Sequence, residues 1–195
     1  MAYVGLAPTS VWIWRPSQVD VQDRYRTLVT EFENGAEQRR GKWNRPLMAV
    51  RLLFDRNALT TDDVADIWRF YRTQRGSLRP FDLPLFGQLT TVESLFSVGS
   101  RSIGVADTQD MTSSSTSRWS KLYLQNGNYD YDVFTVTSVN GATRIEVQSS
   151  TGNTYQIGNP VSPVITARFA DDLYGAQYMV AQMTGAGLVF TEVRS

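Results

Sequence analysis

Cysteine and histidine are both absent from the 195 residues. Without cysteine there is no disulfide, no thiolate zinc site and no cysteine nucleophile. Without histidine the chain lacks the side chain that most often acts as general base near neutral pH, and the commonest metal ligand. Carboxylate, lysine, serine or tyrosine chemistry stays open, but the usual catalytic routes are closed. Net charge is missing too, because 19 basic residues balance 19 acidic ones. No global field therefore steers the chain towards nucleic acid or an anionic membrane. Long apolar runs are also lacking, and none approaches the roughly 18 residues of a membrane-spanning helix. Met1 to Pro16 carries Val11, Trp12, Ile13 and Trp14 without a basic segment ahead of them, so neither a leader nor a membrane anchor is expected. The expectation is a soluble chain made in a cytoplasm, with which the lack of cysteine agrees.

What is present points to a packed β protein. Apolar residues make up 42% and aromatic residues 12%, enough to bury a core. The length suits one domain, or one domain with a sizeable insertion. Composition shifts near residue 85: residues 1–85 carry 13 basic and 10 acidic side chains, residues 86–195 carry 6 and 9. Glycine, serine and threonine concentrate in the second part, as short strands joined by turns require.

The spacing predicts strands over 25–32, 36–43 and 47–54, with Asn34-Gly35 as a tight hairpin turn. The run from Leu47 to Phe54 is nearly all apolar, which predicts a strand covered on both faces. One helix follows at about 61–75. Thr60 or Thr61 caps it, Asp62 and Asp63 occupy its first turn, and Arg72 and Arg75 its last. Val64, Ile67, Trp68 and Tyr71 give it an apolar face, and Gly76 stands at the expected left-handed exit. Beyond Thr91 the pattern is strand and turn: 102–107, 121–125, 130–138, 143–147, 164–169, 177–183 and 188–193. Asn126-Gly127 and Asn140-Gly141 mark hairpins, Gly185 and Gly187 turn the last pair, and Met111 to Ser117 reads as an exposed loop. The expected fold is mainly β, a β-sandwich or barrel carrying one helix. A core module of 1–87 plus 166–195 would hold an inserted β module of 88–165.

No constellation carries chemistry. The adjacent acids Asp62/Asp63 and Asp171/Asp172 do not converge, and they suit a helix dipole and a turn. Asn126, Asn128, Asp130 and Asp132 alternate like a calcium loop, but Tyr131 and Thr137 stand where glycine and glutamate are needed. We therefore expect no catalytic residue, no metal site and no cofactor, and a chain that is not an enzyme. The basic cluster Arg39, Arg40, Lys42 and Arg45 surrounds Trp43, yet neighbouring residues on a strand face opposite ways. Pairing with Glu31, Glu33 and Glu37, or with another subunit, suits it better than nucleic acid. Trp12 and Trp14 share one face of an extended segment and suit either a core or an arm docked on a neighbour. The expected subunit-interface residues are thus Trp12, Trp14, Arg39, Arg40, Lys42, Trp43 and Arg45.

The order of these features resembles a known family. Residues 31–46 read EFENGAEQRRGKWNRP, and an apolar strand, a helix and the extended SLRPFDLP follow. From about Ser17 to Leu85 this resembles the N-terminal module of phage distal tail proteins, including those of gene-transfer-agent tails. The residues that carry the likeness are Gly35, Glu37, Gln38, Arg39, Trp43, Pro46, Arg72, Arg75 and Gly76. Ser102-Ile103-Gly104-Val105, Tyr155-Gln156-Ile157-Gly158 and the closing Ala167 to Asp172 also resemble that family's β modules. The serine-rich loop at 111–117 departs from it.

The resemblance implies a structural virion protein of a phage-like tail, a homo-oligomeric ring usually of six subunits. Such a ring binds the tail tube on one side and hub or tip proteins on the other, while DNA crosses its lumen without specific binding. Other tail or connector rings (tube, terminator) are the structural alternative. A carbohydrate- or receptor-binding module built on Tyr123, Tyr129, Tyr131 and Tyr155 is the alternative of a different class.

Overall fold

A computed structural model describes residues 11–25, 27–31, 37–41, 47–55, 59–87, 89–108, 111, 119–127, 130–172 and 187–193. The fold is mainly β with a single α-helix among these residues. In chain order the strands are β1 (Gln18–Arg24), β2 (Thr27–Glu31), β3 (Glu37–Gly41), β4 (Leu47–Leu53), β5 (Phe81–Pro84), β6 (Thr90–Thr91), β7 (Ser102–Gly104), β8 (Lys121–Gln125), β9 (Tyr131–Val139), β10 (Arg144–Val147), β11 (Pro160–Phe169) and β12 (Leu188–Glu192). Helix α1 spans Thr61–Gln74. No helix among the described residues is long and apolar enough to cross a membrane.

The chain divides into two compact units. One holds residues 16–80 and 167–194, the other residues 81–166 together with the segment 11–15. The division falls at 80/81, earlier than the composition shift, because β5 pairs with β11. The segment 11–15 joins the second unit because Val11 bridges Asp82 and the Trp12 amide donates to the Asp82 carbonyl at 2.8 Å.

In the first unit the antiparallel order is β1-β4-β12, continued by the last residues of β11. Met48, Val50 and Leu52 alternate onto one face of β4 and are buried, as are Leu188 and Phe190 beside them on β12. Phe169 on β11 pairs with Phe190 and takes the covering helix: its ring meets Tyr71 at 5.0 Å and Phe70 at 6.3 Å. The buried face of α1 is therefore Ile67, Phe70, Tyr71 and Gln74, rotated from the expected stripe, with Val64 and Trp68 only half-buried. Thr60 caps the helix by a reciprocal box: its hydroxyl accepts from the Asp63 amide at 3.2 Å, and its own amide donates to the Asp63 carboxylate at 2.8 Å. Thr60→Ala breaks the box, and thermal denaturation is expected to show a loss of about 1 kcal/mol.

The second unit runs β11-β8-β9-β10-β7, with β5 and β6 also on β11. Leu122, Leu124, Phe134, Val136, Ile145 and Val161 form its core with Phe96 and Tyr155. Alternation along β9 buries Phe134 and Val136, and a bulge shifts the β9–β10 register between Glu146 and Val147. Gly141, with φ 72°, turns that hairpin at the Asn140-Gly141 signal.

Three expectations on strands change. β1 is absent from the expected elements, because QVDVQDR offers two valines among polar residues. β11 begins at Pro160, before the expected 164, and β7 ends at Gly104 rather than 107. The expected 177–183 strand, the Asn34-Gly35 turn and the 112–117 loop lie outside the described residues.

Candidate functional site

β1 ends its sheet with one side open. It pairs with β4 in unbroken register, from Gln18 opposite Leu53 to Arg24 opposite Leu47, and with no other strand among the described residues. Val19, Val21 and Asp23 lie opposite Leu52, Val50 and Met48, so they share the face on which the core is built. That core face is buried on β4, yet Val21 is 43% exposed and Asp23 is exposed. The helix packs over Phe169, and its cover runs out before β1. Tyr25, one residue past the strand, is 72% exposed. A seven-residue strand with a bare ladder edge and an uncovered apolar strip is a template for another strand.

The hairpin β2–β3 stands as a two-stranded sheet of its own. Arg39 and Arg40 lie on β3, opposite Val29 and Leu28, while Glu31 lies opposite Glu37. No directly opposed pair in this hairpin is therefore of opposite charge, and direct cross-strand pairing does not account for the arginines. Lys42, Trp43 and Arg45 lie outside the described residues. Trp12 and Trp14 are both enclosed by the chain itself, at 0% and 4% exposure. Their rings meet edge to face at 5.0 Å, Trp12 stacks on Phe81, and the Trp12 indole donates to the Trp14 carbonyl at 2.8 Å. Of the two roles open to them in the sequence, the core is the one they fill here.

The end of α1 forms a cleft of about 520 Å³, lined by Tyr71, Arg72, Arg75, Gly76, Ser77, Leu78, Arg168 and Asp172. Two successive residues turn left-handed to make it, Arg75 at φ 55° and Gly76 at φ 63°. The turn comes one residue earlier than expected, so an arginine carries the strain that glycine escapes. Gly76 is needed for space as well: a Cβ there would stand 2.7 Å from an Asp172 oxygen. The same oxygen accepts the Ser77 amide at 2.7 Å. Hydrogen bonds from Ser77, helped by Arg168, hold the Asp172 carboxyl below its usual range. Three guanidinium groups thus face one carboxylate. Arg72 lies 4.9 Å over the Trp68 ring, which fixes its plane and leaves its in-plane donors to other partners.

A second polar cluster serves the interior. One Asp132 oxygen accepts from the Thr151 hydroxyl at 2.7 Å, the Tyr155 hydroxyl at 2.9 Å and the Asn153 amide at 3.2 Å. Burial, with the Asp132 charge second, pushes the Tyr155 hydroxyl well above the ordinary tyrosine range. It stays a neutral donor. Sequence reasoning missed this cluster, although Thr151, Asn153 and Tyr155 show its signal: three donors at even spacing on an extended segment. Asn126 and Asp130 bond to each other, and Asp132 is taken up by its three donors, which is how the calcium-like series is used. The tyrosines considered for sugar stacking are packed instead. Tyr155 stacks on Phe96, and buried Tyr123 stacks on Tyr131 at 5.6 Å; Tyr129 lies outside the described residues. Compared with known proteins, the chain matches no family model and no curated protein.

Proposed function

We propose that this chain is a structural subunit of a phage-like tail, made in a host cytoplasm and built into the virion as a ring at the distal end of the tail tube. The observation that carries the reading is the open β1 edge with its uncovered core-side strip. It lies within the 17–85 stretch whose sequence resembles distal tail proteins. A strand in that state favours pairing with another chain, and a head-to-tail contact repeated around an axis closes a ring. Each such contact needs about 1,600 Å² of buried surface. In this role the subunit is not an enzyme and needs no cofactor. One face of the ring meets the tube and the other the hub or tip proteins, with DNA crossing the lumen unread.

The test is native mass spectrometry and electron microscopy of the purified full chain, alone and mixed with tube and hub proteins. Rings, usually of six subunits, are the expected outcome. A strict monomer under all of these conditions would overturn the proposal. Labelling the protein within intact particles separates the distal position from a tube, terminator or connector position.

A further inference from the structure

We infer that the arginine cleft at the end of α1 is the receiving half of the contact between copies, and that it takes the uncovered strip of β1 from the next subunit. The inference rests on the ring reading and names the two surfaces that meet in it. The cleft offers Arg72, Arg75 and Arg168 against the single carboxylate of Asp172, beside Leu78, which is 67% exposed. Among the described residues none of the three arginines makes an ion pair within 4.0 Å, although Arg168 lies close enough to favour the Asp172 carboxylate. Guanidinium groups beside an exposed leucine suit a protein surface that presents a carboxylate next to apolar side chains.

The chain carries such a surface on β1. Val21 and Asp23 alternate onto one face of the strand, and exposed Tyr25 follows directly. The signs are opposite and the apolar parts match, Leu78 against Val21 and Tyr25. Both surfaces are exposed in the folded chain, so they do not satisfy each other within one molecule. Two different, complementary surfaces on one subunit define a heterologous contact, the type that closes rings. A free phosphate or a nucleic acid would use the guanidinium groups but would leave Leu78, Val21 and Tyr25 uncovered.

The test is a charge swap in the full chain, with association read by analytical ultracentrifugation and folding checked by circular dichroism. Arg72→Glu with Arg75→Glu is expected to weaken association by about tenfold or more, as loss of a desolvated charge pair does. Asp23→Arg alone is expected to weaken it as well. Mixing the two variants, or combining all three substitutions, is expected to recover assembly, because the charges on the two sides of the contact are then exchanged and still opposite. If wild-type chain never associates, the ring reading itself fails. If the wild type assembles and the cleft variant assembles equally well, the ring stands and this contact is wrong. Weakening without recovery in the swap overturns the pairing with β1 and assigns the cleft to another partner protein.

Discussion

Replacing Phe169 by alanine is expected to lower the stability of the first unit by about 3–5 kcal/mol, the usual cost of emptying an aromatic core site. Phe169 is fully buried and joins the two layers of that unit. On its own strand's neighbour it meets Phe190 at 5.1 Å, and from the helix Tyr71 and Phe70 reach it at 5.0 and 6.3 Å. Each aromatic pair adds about 0.5–1.5 kcal/mol beyond burial, so the loss exceeds a simple transfer term. Phe169→Leu keeps most of the volume but none of the edge-to-face contacts, and is expected to cost about 1–2 kcal/mol. Urea unfolding followed by circular dichroism reads both. Equal losses for the two variants would mean that ring geometry contributes nothing there.

What the sequence makes legible follows from how local each signal is. Helix α1 can be read because its cap, first-turn acids and period all lie within about fifteen residues of one another. Its buried face cannot, since Phe70 turns inward only because Phe169 waits on a strand about a hundred residues away in the chain. β4 is visible as an apolar run, but β1 is not: its backbone is held by the β4 ladder rather than by its own side chains. Trp12 and Trp14 have even spacing, which on an ordinary strand puts both rings on one side. The chain buries both by turning the Trp12 indole onto the Trp14 carbonyl, a bond no pattern announces. The arginine cleft is half legible. Arg72, Arg75 and Gly76 read as a helix end, while Arg168 and Asp172 join them only through the fold. β1 carries the proposed contact and is the element that the pattern misses. A strand that completes itself against another molecule has little reason to show a full apolar pattern in its own sequence.

The largest effect expected in the second unit comes from Asp132. Thr151 and Tyr155 are buried at 2% and 0% exposure, and Asn153 is half-buried, so their polar groups depend on that carboxylate. Asp132→Ala strips the acceptor and leaves the donors behind. An orphaned buried donor costs about 1–3 kcal/mol, and water reaching the half-buried site relieves part of it, giving an expected loss of about 2–4 kcal/mol. Asp132→Asn keeps one oxygen and is expected to lose less. Tyr155→Phe removes a donor together with its need for an acceptor, and is expected to cost about 1 kcal/mol. The same hydroxyl sets a pH dependence. Its folded pKa is raised, so the folded state favours the neutral phenol more than the unfolded chain does. That contribution is fully present below the unfolded tyrosine pKa of about 10 and is lost as pH rises above it. Denaturant unfolding between neutral pH and about pH 11 is expected to show a fall in stability above about pH 10 that is shallower in Tyr155→Phe. An unchanged alkaline slope in that variant would show that the Asp132–Tyr155 bond does not hold the phenol neutral.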